Sequence, residues 1–333
     1  MYRIAVVGTG NFGSRLGRYV LDHPDAELVA AMDVDESNLR TAGHTFAIGE
    51  ENRFSDASRM YDETDLDAVL VTSPPVFHHG QVIEALDRKL HVLCEKPLTT
   101  TVADARDIVE HARAGDRQVM VGYQRHLNPG VVRARERYRV GEHEPCFIAG
   151  VLTQDWRQFF DDDGNWRTDS SLGGYGHLFS VGTHVVESAL WVTGLEPATV
   201  TAQMDFADDG QAIDQHAAIT VRFADGTLAN FGDAARTPTT QERLQIWDDA
   251  GSVVLDGRNW DRPRLTVRDE AGDDVTPAIE YASAPSKVDA FITAIREGSE
   301  PPATATDGLR VTALMEAAYE AARSGKQVDV QSV

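Results

Sequence analysis

The chain has 333 residues, with 31 Lys plus Arg against 53 Asp plus Glu, giving a formal net charge of −22. A surface this negative repels phosphate backbones and anionic headgroups, which are bound through Lys/Arg clusters, so nucleic acid and membrane are excluded as expected partners. Hydrophobic residues at 42% and charged residues at 25% are ordinary for a packed protein, so the acidity does not signal disorder.

Residues 2–7 (YRIAVV) form a short apolar run ending in glycines, and residues 14–21 follow with helical spacing of Leu16, Val20 and Leu21. Further apolar runs at 27–33, 67–72, 91–94 and 118–122 alternate with helical stretches at 79–86 and 102–113. Strands apolar throughout, alternating with helices, predict a doubly wound parallel sheet over residues 1–122. Beyond Tyr123 the strands lengthen and alternate, at 147–153, 199–206, 216–223, 227–234, 244–248 and 265–268, with turn signals such as Ala224-Asp225-Gly226 and Ala250-Gly251 between them. This predicts an α+β domain over 123–333 with one open, mainly antiparallel sheet, closed by helices at 287–297 and 307–324. Two domains also suit the length. Cys94 and Cys146 are too few and too far apart for a disulfide framework or a thiolate site, and no metal is expected. The first residues lack a signal-peptide pattern, and their apolar run stops well short of the roughly 20 residues of a bilayer span, so a cytoplasmic location is expected.

Gly8-Thr9-Gly10-Asn11-Phe12-Gly13 is G-x-G-x-x-G directly after the first strand and before the first helix. Gly8 permits the tight turn, Gly10 lets backbone N–H groups approach a pyrophosphate, and Gly13 lets the helix lie close on the sheet. Asp33, about 20 residues on, ends the next strand, where an acid bonds ribose hydroxyls and repels a 2′-phosphate, which favours NAD. Asn38 and Arg40 lie close by and keep NADP open. Leu93-Cys94-Glu95-Lys96-Pro97 places a lysine at the carboxyl end of a parallel strand, where open α/β sheets bind ligands. Only Lys89, Lys96, Lys287 and Lys326 are lysines, so one kept here is unusual. Beside a nicotinamide it orients a substrate hydroxyl and takes its proton.

The Gly8–Gly13 loop, Ser73-Pro74-Pro75-Val76-Phe77-His78, Glu95-Lys96-Pro97, Val121 to Arg125 through Pro129, Trp166-Arg167, Gly173-Gly174, Gly182-Thr183-His184 and the Thr304 to Gly308 segment occur in the order found in the glucose–fructose oxidoreductase / inositol 2-dehydrogenase (Gfo/Idh/MocA) family. The chain resembles that family over nearly its whole length. The resemblance implies a Rossmann domain and hydride transfer between NAD(P) and a hydroxyl or carbonyl carbon of a sugar, cyclitol or related polyol. It also implies a homodimer or homotetramer formed through the C-terminal sheet. Besides the glycine loop with Asn11, Phe12 and Asp33, it implies cofactor contacts from Ser73, Pro74, His78, Glu95, Lys96 and Gln124, with Lys96 beside the nicotinamide.

Plotted as one helix, residues 176–192 place His177, Ser180, His184, Glu187, Ser188 and Trp191 on one stripe, read as facing a cleft. His184 matches the family's active-site histidine. Ser180 stands where an aspartate is common, and a serine supplies no charge to hold a lysine or histidine. Lys96 then serves alone, or His177 or Glu187 substitutes, or the chain is a catalytically silent sugar-binding relative that keeps the dinucleotide. Pro75 and His126 also replace a frequent asparagine and arginine. Arg125, Trp156, Arg157, Trp166 and Arg167 are candidates for stacking on a sugar or bonding its hydroxyls, with packing or ion pairing as their other reading. Asp161-Asp162-Asp163 is not followed by the glycine and distal glutamate of a calcium loop at the required offsets and reads as an acidic turn.

An acidic coat stripped of lysine is expected of a protein adapted to high salt, where screening removes the self-repulsion. Thermal midpoints are expected to rise with molar KCl. A midpoint that stays flat or falls removes that reading.

Overall fold

The computed structural model describes residues 1–139, 141, 143–162 and 164–333, so Asp163 of the acidic turn lies outside the described residues. The chain divides into two compact units, Met1–Gln124 with Pro285–Leu309, and Arg125–Ala284 with Arg310–Val333.

In the first unit six parallel strands, β1 (Tyr2–Val7), β2 (Ala26–Met32), β3 (Arg53–Phe54), β4 (Ala68–Val71), β5 (His91–Cys94) and β6 (Val119–Val121), stand in the order β3-β2-β1-β4-β5-β6. Both pleat faces of β4 are buried, as are residues 4–7 of β1, which is why these segments read as unbroken apolar runs. Helices α1 (Asn11–Leu21), α2 (Glu36–Phe46), α3 (Ala57–Glu63), α4 (His78–Asp87) and α5 (Val102–Ala114) link the strands. Side chains of Asp35, Asp56 and Thr101 cap α2, α3 and α5 by accepting first-turn N–H groups. The strand order reverses between β1 and β4, which puts a topological switch point, the place where open α/β sheets bind ligands, at the carboxyl edge between these strands.

The second unit is built on an eight-stranded sheet: β7 (Pro145–Asp155), β8 (Pro197–Phe206), β9 (Asp214–Phe223), β10 (Leu228–Ala234), β11 (Arg236–Asp248), β12 (Gly251–Arg258), β13 (Arg264–Arg268) and β14 (Val328–Asp329). The order is β13-β12-β11-β7-β10-β9-β8-β14, antiparallel except for β7 with β10. The helices are α6 (Pro129–Arg139), the single turns α7 (Arg157–Phe160) and α8 (Ser170–Gly173), and α9 (Thr183–Thr193). Helix α9 packs on β7 and β11 and against α6, so residues 183–192 are all buried. A helix enclosed on both sides can be apolar all round, which leaves it no solvated stripe.

Two helices close the chain, α10 (Lys287–Glu297) and α11 (Ala305–Ser324). Ser286 caps α10 in a reciprocal box with Asp289. The sequence reading assigned everything beyond residue 122 to the second domain, whereas residues 285–309 group with the first unit. Val121 N–H donates to Ala303 O at 2.9 Å, and Met120 bridges to Thr304, so the returning segment is stitched to the edge of β6. The periodicity of α10 shows that it has an apolar face, without saying which sheet that face covers.

Candidate functional site

The expected site residues fall into two sets, one in each unit. In the first, Gly8 has φ +84°, and a Cβ there would lie 2.7 Å from Ser73 N, so the loops after β1 and β4 approach backbone to backbone. A Cβ on Gly13 would collide with Gly8 O. A Cβ on Gly10 would meet nothing within 4 Å: the space over that residue is open. Gly10 is the N-cap of α1, with no side-chain cap and no acid in the first turn, so the leading N–H groups stay available to an anion. The loop therefore fits a dinucleotide pyrophosphate. Asp33 Oδ2 accepts from Thr9 N at 2.7 Å, Thr9 Oγ1 at 3.0 Å and Asn38 Nδ2 at 3.3 Å, while Oδ1 accepts from Asp35 N at 2.9 Å. These bonds tie the carboxylate to the glycine loop. The Arg40 guanidinium turns away to Glu36, 2.7 Å distant.

Lys96 leaves the carboxyl end of β5, and its backbone N–H donates to Glu95 Oε2 at 3.2 Å. Glu95 is buried and pairs through Oε1 with Lys287 Nζ. Burial would raise the Glu95 carboxyl, but the Lys287 ammonium and, after it, Lys96 together outweigh it and hold the group below its usual value. His78, also buried, sits between two carbonyls, with Nδ1 2.9 Å from Pro97 O and Nε2 2.8 Å from Ser73 O. Burial lowers its pKa against both carbonyl contacts. His78, expected to touch the cofactor, lies between the loop after β4 and the Glu95-Lys96-Pro97 turn, where the neutral ring donates its single N–H to one of these carbonyls.

In the second unit a π-turn, Leu178–Gly182, precedes α9. It breaks the single α-helix expected over 176–192 by inserting extra residues per turn, which rotates His177 away from the stripe of His184. His184 lies edge-on to Trp260 with ring centroids 5.7 Å apart, and Ser180 stands on the π-turn. His177 is fully buried, with Nδ1 2.7 Å from Asp233 Oδ2 and the edge of Trp156 against its ring. Glu187 pairs with His126, which stacks on Trp191 at 4.0 Å. Both groups that were to stand in for the missing aspartate are thus committed inside this unit.

The other candidates separate in the same way. Trp156 is 2% exposed, with Phe159, Phe160 and His177 around its indole, and presents no face to a sugar. Arg125 is buried in a two-armed pair with Glu242 and acts as a strut. Arg157 is held by Asp155. The Arg167 guanidinium lies 4.4 Å from the Trp166 ring centroid and 5.1 Å from that of Phe159. Burial lowers its pKa, and among the described residues no carboxylate pairs with it. In a chain with 53 acids that is a distinctive vacancy. His143, Asp248 and Asp249 offer donor atoms within 4.8 Å, but both Asp248 oxygens are already engaged by Arg137 and Tyr138.

Sequence reasoning passed over Lys287, Asp214, Asp233, Trp260 and Tyr319. Only Lys287 carried a local signal, as one of four lysines.

Residues 2–123 match the family described as the oxidoreductase family with an NAD-binding Rossmann fold, and residues 133–254 match the GFO/IDH/MocA C-terminal domain. A 1,5-anhydro-D-fructose reductase of Ensifer adhaerens is 26% identical over 318 residues, covering 92% of each chain. An NADP(+) D-xylose 1-dehydrogenase of Haloarcula marismortui is 25% identical over 93% of this chain and 84% of its own. The structure of a levoglucosan dehydrogenase with NADH and L-sorbose superposes with a TM-score of 0.86 at 20% identity, over 100% of this chain and 99% of that one.

Beneath the π-turn, Asp214 accepts from Leu178 N–H at 2.9 Å and from the Tyr319 hydroxyl. Burial, and then the neighbouring Asp233, push the Asp214 carboxyl from 3.8 up to about 6. The folded protein keeps a proton there that the unfolded chain has lost, so this contribution to stability is fully present below pH 3.8 and disappears as the pH rises through about 6. Asp214→Asn removes the titration. The stability of the parent relative to this variant is expected to fall by on the order of 2 kcal/mol between pH 4 and pH 7, measured by urea unfolding at both; an unchanged difference contradicts the assignment.

Proposed function

The chain belongs to the Gfo/Idh/MocA family of NAD(P)-dependent sugar and polyol oxidoreductases, and from that membership we propose that it interconverts a secondary hydroxyl and a carbonyl on a sugar or cyclitol, with Lys96 handling the hydroxyl proton and His184 assisting. The observation that carries the reading is Lys96 at the carboxyl end of β5, next to a carboxylate already neutralised by another lysine. Bound nicotinamide supplies the hydride acceptor or donor. Gly8, Gly10, Asn11, Phe12 and Gly13 hold the pyrophosphate through backbone N–H groups and the α1 terminus, Asp33 meets the adenosine ribose, and Ser73, Pro74 and Gln124 flank the nicotinamide half. Lys96 accepts the hydroxyl proton during oxidation and returns it during reduction, while the His184 imidazole holds the reacting oxygen. Arg167, with no acid partner among the described residues, and Trp166 bond and stack against the substrate.

The open face of the second sheet carries Phe147 and Trp247, with ring centroids 5.7 Å apart. A second copy covers that face in the homo-oligomer. The charge pattern and the resemblance to a Haloarcula protein favour a high-salt cytoplasm.

A second reading, a sugar-binding relative that keeps NAD without turnover, rests on Ser180. It is separated by NADH absorbance with aldoses, inositols and uronates in molar KCl, with Ser180→Asp alongside. Silence across the panel despite tight NADH binding favours it.

Lys96→Met is expected to lower kcat by about 10²–10⁴ while NADH binding, followed by fluorescence, stays within a few-fold of the parent; full turnover ends the Lys96 assignment. With Asp33 in place, kcat/KM is expected to be higher with NAD than with NADP, and the reverse order in steady-state kinetics would overturn the cofactor preference.

A further inference from the structure

We propose that Lys287 is a positioning residue for Lys96: by neutralising the buried Glu95, it keeps that carboxylate from taking the Lys96 amine as its counter-ion. The inference rests on the reading that Lys96 handles the substrate proton.

Glu95 divides its two oxygens. Oε2 accepts the Lys96 backbone N–H at 3.2 Å, and Oε1 holds Lys287 Nζ, which also lies 3.4 Å from Gly122 O. The paired side chains are 12% and 8% exposed, and a Cβ on Gly122 would lie 2.8 Å from Glu95 Oε2, so a side chain at 122 would press on the carboxylate where it now sits. A carboxylate this enclosed needs a cation.

Around Glu95 the candidate cations are few. Burial and Glu95 itself push the Cys94 thiol well above its usual pKa, so it stays neutral. Burial disfavours the charged form of His78 and outweighs its contacts with the Ser73 and Pro97 carbonyls. That leaves Lys287 from α10 and Lys96 from the same turn, both of which stabilise the Glu95 anion.

Lys287 occupies an unfavourable place for a cation. It is the first residue of α10, at the positive end of the helix dipole, and the nearby acid Asp289 is engaged by its capping bond to Ser286 N at 2.8 Å. In a chain with only four lysines, its presence there is explained by its partner 192 positions away. With Lys287 on Glu95 the pair is neutral, and Lys96 can lose its proton without leaving a bare buried carboxylate. Without Lys287 the nearest available cation is Lys96 itself, which would be held as ammonium.

The test reads Lys96 directly and does not depend on turnover. The full chain is labelled with trace acetic anhydride from pH 6 to pH 11, and the reactivity of each lysine is followed by mass spectrometry. Exposed Lys89 and Lys326 serve as internal references. Lys287→Met is expected to raise the Lys96 midpoint by about one pH unit, roughly tenfold less free amine at a given pH below it. Glu95→Gln, which leaves Lys287 uncompensated, is expected to lower it. The double variant and Lys287→Arg are expected to stay near the parent. Shifts of opposite sign in the two single variants distinguish charge compensation from a loss of packing, which would move both alike. An unmoved midpoint, or shifts of the same sign, overturns the proposal. Should Lys287→Met not fold, Lys287→Gln takes its place in the sign test beside Glu95→Gln. If the midpoints shift as expected but the parent oxidises no polyol, the functional reading fails and the positioning role stands. If Lys287→Met loses turnover with an unmoved midpoint, the positioning role fails and the functional reading stands.

Discussion

The first unit depends on backbone meeting backbone at Gly8. A side chain there would strike Ser73 N, and one at Gly13 would strike Gly8 O, so the turn after β1 and the start of α1 can share one small volume only while both positions are bare. That closeness puts the uncapped end of α1 at the reversal point of the strand order. The site for an anion follows from steric permission, since the local attraction comes from N–H groups and a helix end while the chain as a whole carries −22. Short-range dipoles outweigh a repulsive net charge that salt screens over a few ångströms.

The two units treat buried charge differently. In the first, Glu95 is paired with Lys287 and stays ionised. In the second, Asp214 and Asp233 lie near one another, with one histidine and one tyrosine hydroxyl to share, so one carboxyl retains its proton well above its usual range. Charge compensation keeps the first arrangement insensitive to mild acid. The second draws on a proton for part of its balance, and it lies under the π-turn that leads into His184. The geometry of Ser180 and His184 is therefore tied to a titrating core, while that of Lys96 is tied to an ion pair.

What could be read from the sequence was local. The glycine loop, the acid ending β2, the lysine ending β5 and the change from unbroken to alternating strands all lie within windows of a few residues, and the parallel sheet and the open second sheet formed as expected. Strand β3 has two residues and β12 begins at a glycine read as a turn, so neither gave a period. Other features needed the third dimension. Nothing near Arg125 indicates that Glu242 will occupy it, nor near His177 that Asp233 will. The polar stripe of 176–192 misled because an α-helical plot assumes 3.6 residues per turn throughout, and the π-turn breaks that assumption between His177 and His184. Trp156 was a fair candidate for a sugar platform until Phe159 and Phe160, its neighbours in sequence, turned back onto it.

The return of residues 285–309 to the first unit has a consequence for how the chain is made. The segment from Arg125 to Ala284 is an insertion within a unit whose last piece includes α10, with the counter-ion of Glu95. During synthesis the parallel sheet is complete by Val121, yet Glu95 lacks Lys287 until α10 leaves the ribosome. A nascent chain halted anywhere before Lys287 therefore leaves Glu95 to Lys96 alone, and the dinucleotide unit reaches its final charge state only after most of the other unit has been translated.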